Sequence, residues 1–222
     1  MTSGNKYDAV VIGGGHNGLV SSAYLAKSGL RVLLLEASSS IGGASATSEF
    51  YEGFSVSSYA HFLYCLHPTI VRDLELKKHG LTYATTGLGT VALGSEGKHV
   101  SINGDKVSGQ ISADDIASFE EFHSLMLKFC KVLGATLQHR PPRLMNSSFR
   151  DKLTMLNLGW QVKRLGKKDM QELLRMGAIN IYDVLEEYFD NPLLKGALSL
   201  DAVLGSHTGP RSPNTVLAYL YR

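Results

Sequence analysis

The sequence predicts an α/β fold that opens with a parallel strand–helix–strand unit and continues into a mostly helical second part. Three observations carry this. A short apolar run rich in β-branched residues, at residues 7–12, stops on Gly13, Gly14 and Gly15. A stretch of small and apolar residues at 17–28 has the composition of a packed helix and stops at Gly29. A second apolar run, Arg31-Val32-Leu33-Leu34-Leu35-Glu36, ends on a carboxylate. Strand, crossover helix and parallel strand within about 30 residues form one βαβ unit, which is right-handed in nearly all proteins.

Composition narrows the class. The chain has 222 residues, 44% hydrophobic and 19% charged, with 23 glycines, 2 cysteines and a net charge of +2. It is too apolar to be disordered and has too few cysteines for a disulfide scaffold. No apolar run approaches the ~18 residues of a membrane span. The near-neutral charge gives no electrostatic case for nucleic acid. Residues 1–6 hold no apolar signal region and no arginine, so an intracellular chain without a visible presequence is expected. Cys65 and Cys130 form no C-x-x-C, which argues against dithiol redox chemistry and for two small apolar residues in packed surroundings.

The elements follow in order. After the βαβ unit, residues 38–48 read as a loop of small residues. Residues 68–79 read as a helix with Pro68 in its first turn and Gly80 at its end. Residues 83–102 hold short strand-like pieces between glycines, a small antiparallel layer. Ser112 with Asp115 three residues on is a capping pattern. It opens a long helix whose Ile116, Phe119, Phe122, Met126, Phe129 and Leu133 share one face. Pro141 and Pro142 break the chain. Helices are expected from residue 149 onward, among them 173–178, 181–189, 192–204 and 213–221, with Asn191 and Ser212 as N-caps. The chain divides by this reading into residues 1–68, a nucleotide-binding part, and 69–222, the beginning of a second domain.

The glycines name a chemistry. Ile12 leads into Gly13-Gly14-Gly15-His16-Asn17-Gly18, a G-x-G-x-x-G between a strand and a helix. The first glycine permits a sharp turn, the second admits a pyrophosphate against bare backbone, and the third allows close helix packing. The helix start aims unpaired N–H groups at the phosphates. Glu36, followed by Ala37, lies 18 residues past Gly18, where a carboxylate accepts hydrogen bonds from an adenosine ribose. That charge disfavours the 2′-phosphate of NADP and leaves NAD and FAD open. The architecture is Rossmann-like.

The segment Glu36-Ala37-Ser38-Ser39-Ser40-Ile41-Gly42-Gly43-Ala44 resembles the E-x-R-x-x-x-G-G-x pattern of FAD-dependent amine oxidases and carotenoid desaturases, with Ser38 where those proteins carry arginine. Residues 7–20 resemble the opening of phytoene-dehydrogenase-like oxidoreductases. The resemblance implies FAD as cofactor, with Gly42, Gly43 and Ala44 beside its pyrophosphate. It also implies a mitochondrial location and hydride abstraction from a C–H or C–C bond of a small molecule. Proteins of this resemblance run to about twice this length or more. The sequence therefore reads as a truncated product or a divergent short form.

In a flavoprotein the cofactor supplies the redox chemistry, so no acid–base pair is required, and no catalytic residue or metal site is assigned. Tyr59, His61 and Tyr64 follow the double glycine and either line the flavin end or belong to the core, the second being favoured. The adjacent acids Asp114-Asp115, Glu120-Glu121 and Glu186-Glu187 diverge on their helices and read as solvated faces. Residues 140–175 hold nine Lys or Arg against three acids, a net of +6, interleaved with apolar residues including Trp160. This suits either an interfacial membrane helix admitting a lipophilic substrate or a helical subdomain with a basic outer face. Gly159 and Gly166 favour the second. Two rival functions stand beside the flavoenzyme. One is a non-catalytic module that binds a partner protein or membrane surface, and the other is an NAD-dependent dehydrogenase.

Overall fold

The structure is a computed structural model that describes residues 6–60, 62–63, 66–137 and 140–221, with 135 and 137 described by backbone alone. It contains two units, the first ending at Ala84 and the second beginning at Thr85.

In the first unit, strand β1 (Ala9–Ile12) and strand β2 (Val32–Leu35) pair in parallel, from Ala9 opposite Val32 to Ile12 opposite Leu35. Helix α1 (His16–Lys27) is the crossover. Alternation along β1 sends Val11 towards α1, whereas Val10 and Ile12 on the other face are 55% and 86% exposed. Residues 47–57, for which the sequence reading assigned only the end of a loop, form an antiparallel hairpin of β3 (Thr47–Tyr51) and β4 (Phe54–Ser57). Its turn uses Glu52 and Gly53, the latter at φ +77°. The expected helix at 68–79 is shorter. Helix α2 (Pro68–Asp73) begins with Pro68 in its first turn, and the His67 side chain accepts a hydrogen bond from the Thr69 N–H. The chain then leaves helical geometry, with Glu75 at φ +51°. Asp73 accepts a 3.1 Å hydrogen bond from the Tyr24 hydroxyl, and its carbonyl accepts one from Lys27. These ties bind α2 to α1 within the first unit, which extends to Ala84, past the 68/69 division read from the sequence.

The second unit opens with an antiparallel sheet of β5 (Thr90–Leu93), β6 (His99–Asn103) and β7 (Lys106–Gly109), in the order β5-β6-β7. Helices α3 (Ala113–Leu137), α4 (Phe149–Arg164), α5 (Lys167–Met176), α6 (Ile181–Tyr188), α7 (Pro192–Val203) and α8 (Thr215–Leu220) follow. Phe119, Phe122, Met126 and Phe129 of α3 are buried, as the apolar spacing predicts. They meet Ile181, Val184 and Leu185 of α6, Leu194 and Leu198 of α7, and Val216 of α8 in one core. Phe122 packs edge-on against Phe189, with ring centroids 5.5 Å apart. Among the described residues, every buried apolar side chain lies at Val100 or later.

Polar ties lock these helices. Ser112 and Asp115 form the expected cap, since the Asp115 N–H donates to Ser112 Oγ at 3.0 Å. Asp115 departs from the solvated face expected of it: it is 5% exposed and accepts from the Asp190 N–H at 2.8 Å. Asn191 caps α7 by accepting from the N–H groups of Leu193 and Leu194. The expected cap of α8 at Ser212 moves to Asn214, at φ +64°. Thr215 is the reason. Its Oγ1 donates back into the loop to the Ser212 carbonyl and accepts from the buried Ile181 N–H at 2.8 Å.

Candidate functional site: two glycine loops and a carboxylate

β1 ends at Ile12, and Gly13 at φ +102° turns the chain off the strand. The Gly13 N–H is held by the Leu35 carbonyl at 2.7 Å, which fixes the loop to the end of β2. Gly15 is the N-cap of α1 and brings no side chain to cap it, and no acidic residue occupies the first turn. The first N–H groups of α1, at His16, Asn17 and Gly18, therefore lack intrahelical carbonyl partners and lie at the positive end of the helix dipole. His16 and Asn17 are themselves at least partly exposed. A Cβ on Gly18 would sit 1.9 Å from the Gly13 carbonyl oxygen, so only glycine lets the helix pack down onto the loop.

The second glycine pair is stitched onto the first. The Gly42 N–H donates to the Gly14 carbonyl at 2.8 Å, and Gly15 and Gly42 form an isolated parallel bridge. A Cβ on Gly43 would lie 3.0 Å from the Gly15 Cα, and Gly42 and Gly43 both have positive φ. Gly43 and Ala44 begin a short 3₁₀ turn, and the Ala44 carbonyl accepts from the Ala60 N–H at 3.0 Å.

Glu36 sits between the loops. One carboxylate oxygen accepts from the Gly14 N–H at 2.5 Å and the other from the Ser38 N–H at 2.9 Å. These backbone donors, Ser38 first and Gly14 second, hold its carboxyl below the usual carboxylate range. Each oxygen keeps lone-pair capacity for a ribose hydroxyl. Gly14 is buried, and a Cβ there would crowd Glu36 at 3.0 Å and Ile41 at 3.1 Å. Gly14 is thus the crossing point of the site, although the motif treats its position as free. Neither that role nor the parts of Ser38 and Ile41 carry a signal in the sequence, because each depends on how the loop after β2 folds back.

The structure brings Gly13, Gly14, Gly15, Gly18, Glu36, Gly42 and Gly43 together. Ile12 and Ala37 flank them at the ends of the two strands and are exposed. Tyr59 is exposed, not in the core as the sequence reading favoured, while His61, Tyr64 and Cys65 lie outside the described residues. The residues present fit a dinucleotide: bare backbone, and an uncapped helix start with no acidic residue in its first turn, beside a ribose acceptor. Elsewhere, Cys130 donates to the Leu220 carbonyl at 3.3 Å, and burial pushes its thiol pKa up, away from reactivity. Glu186 pairs with Lys195 and Glu187 with Arg175, so these neighbouring acids do diverge. No group of metal-ligating side chains occurs among the described residues.

Comparison with known proteins agrees with this geometry. A protein-family profile described as "NAD(P)-binding Rossmann-like domain" matches residues 11–74. The chain is 32% identical over 235 residues to the rat pyridine nucleotide-disulfide oxidoreductase domain-containing protein 2, a match covering 97% of this chain and 40% of that protein. It is 34% identical over 129 residues to one of the subunits of the limonene dehydrogenase of Castellaniella defragrans, covering 55% of this chain and 23% of that protein. A triple mutant of putrescine oxidase superposes with a TM-score of 0.60 at 16% identity, over 96% of this chain and 40% of that one, which shows the fold. The chain thus spans about two fifths of the length of the first of these relatives. It carries an NAD(P)-binding Rossmann-like domain at residues 11–74 and is similar, along nearly its whole length, to a protein named as an oxidoreductase.

Proposed function

We propose that the chain is the dinucleotide-binding part of an FAD-dependent oxidoreductase of the phytoene-dehydrogenase-like kind. One observation carries this: the second glycine pair is hydrogen-bonded onto the first loop, Gly42 to Gly14, with Glu36 anchored beside it. A dinucleotide turn built from G-x-G-x-x-G alone suits NAD equally well. A double glycine laid against it extends the bare backbone along the pyrophosphate, as the resemblance to FAD enzymes implies. Bound FAD would supply the hydride-accepting chemistry. The chain's own part is binding and orientation. Gly15 and the start of α1 receive the phosphates, Gly42, Gly43 and Ala44 close on them, and Glu36 accepts from the ribose.

The name of the limonene dehydrogenase relative supports dehydrogenation of a small, lipophilic molecule as the reaction class. A mitochondrial site of action rests on the resemblance. The rival cofactor is NAD, favoured by the description of the matching family.

Reconstitution decides between them. Purified protein mixed with FAD and desalted is expected to keep a flavin absorbance that reductant bleaches, and excess NADH is expected not to displace it. Gly15→Trp, which fills the pyrophosphate approach, is expected to lose the flavin while the far-UV circular dichroism is unchanged. Folded wild-type protein that retains no FAD but binds NADH would establish the NAD reading.

A further inference from the structure

Helix α4 is apolar on two opposite faces. At about 100° per residue, Leu158, Val162 and Leu165 fall on one side, and these are the residues packed against the core. Phe149, Leu153, Leu156 and Trp160 fall within an arc of about 60° on the other side. These four are 81%, 57%, 70% and 59% exposed. Leu144 and Met145, just before the helix, are more exposed still. The helix runs unbroken through Gly159 to Arg164, contrary to the interruption expected from the sequence. A glycine there opens a groove instead, lined by Lys152, Met155, Leu156, Gly159, Trp160 and Lys163.

Charge is arranged around this stripe. Lys152 and Lys163 border it on one side, and Arg150 and Arg164 on the other, all exposed. Lys167 and Lys168, at the start of α5, are exposed as well. The helix's one acid, Asp151, is turned away. It belongs to the capping box in which the Ser148 N–H donates to it at 2.8 Å, and it falls towards the core side. A solvent-facing surface helix has polar residues where α4 has its stripe. A protein partner is matched less well than a lipid surface, because the cations line both sides of one straight apolar strip and no acid breaks them.

We propose that α4 docks on an anionic phospholipid bilayer. It would lie in the interface plane, with Phe149, Leu153, Leu156 and Trp160 sunk about 5–10 Å towards the acyl chains and the flanking Lys and Arg at the phosphates. No helix among the described residues is long and apolar enough to cross a membrane. The proposal stands on α4 alone and does not depend on the identity of the dinucleotide.

Trp160 is the only tryptophan in the chain and belongs to the stripe, so its emission reports on the contact directly. The whole chain is mixed with vesicles of phosphatidylcholine alone or of phosphatidylcholine with phosphatidylserine, followed by flotation and fluorescence. With the anionic vesicles the protein is expected to float, and its emission to shift to the blue and resist an aqueous quencher. High salt is expected to weaken the binding. The double variant Lys152→Ala with Lys163→Ala is expected to lower partitioning roughly thirtyfold, from two cations each attracted to the anionic surface. Leu156→Glu is expected to abolish the blue shift. All three sites are exposed, so circular dichroism should match wild type. The proposal is overturned if wild-type emission is unchanged with anionic vesicles, or if both variants float as well as wild type. A blue shift that appears without vesicles and grows with protein concentration would also overturn it, by showing that a second copy covers the stripe.

Discussion

Gly18 shows how much one hydrogen in place of a methyl group decides. Its missing Cβ would fall 1.9 Å from the Gly13 carbonyl oxygen, and that atom is backbone. Gly18→Ala is therefore expected to push α1 off the loop, at a cost of about 1–3 kcal/mol in thermal or urea unfolding of the first unit, with weaker dinucleotide binding. Gly29, at φ +91° with open space around it, is a contrast: there the requirement is backbone conformation alone. Glu36 adds a pH dependence. Its carboxyl is held below the range of an unfolded glutamate, near about 4.3, so its ties to Gly14 and Ser38 contribute above that value. They are lost as the pH falls through the lower folded-state pKa. Dinucleotide retention is expected to be flat at neutral pH and to fall in acid, and Glu36→Gln to lower retention at neutral pH while flattening the acid fall. Coincident retention profiles for the two proteins would assign the titration to another group. The motif glycines and Glu36 were legible in the sequence because each has a fixed place relative to a strand end. Gly14, Ser38 and Ile41 were not, because their roles exist only once the loop after β2 has folded back.

At the scale of elements, long periodic segments were readable and some of the short ones were not. The face of α3 could be read from six apolar positions, and the structure buries Phe119, Phe122, Met126 and Phe129 among them. Helix α2 was overextended, since the residues after Asp73 are good helix formers, whereas in the structure Asp73 is tied to Tyr24 and Lys27 and Glu75 takes a positive φ. The hairpin of β3 and β4 had a signal in its Glu52-Gly53 turn, but a weak one, because all of β3 and most of β4 are exposed and lack the in–out alternation of a half-buried strand. Helix α8 starts where Thr215 can serve Ile181. Thr215→Val keeps the shape and removes the acceptor, leaving a buried N–H unpaired. An expected loss of about 1–3 kcal/mol, read from urea unfolding with the slope unchanged, checks this.

For the whole molecule, the distribution of burial is uneven. Among the described residues, the buried apolar side chains all belong to the second unit, from Val100 to Leu220. The first unit has a two-stranded parallel sheet with Val10, Ile12 and Leu35 exposed on it, although parallel strands are normally covered on both faces. Unfolding is expected in two steps, with the first unit melting at the lower temperature and, on the proposed function, FAD raising only that step. Calorimetry with and without FAD checks it. Phe122→Ala is expected to act on the upper step, by about 3–5 kcal/mol, because it empties the centre of the second core. A single transition shifted equally by both perturbations would show that the two units unfold together.

The sequence by itself determined the class of the first unit and the order of its parts: a strand running into glycines, a helix, and a strand ending on a carboxylate. Local rules suffice there, because sharp turns, bare backbone and helix starts are properties of neighbouring residues. It also determined the inward face of α3, through spacing. Only the tertiary structure decided that Gly42 is hydrogen-bonded onto Gly14 of the first loop, that Asp115 is buried, and that α4 presents a second apolar face with cations on both sides. Those depend on which side of an element its neighbours cover, and a one-dimensional pattern records that a face is apolar without recording what, if anything, lies against it.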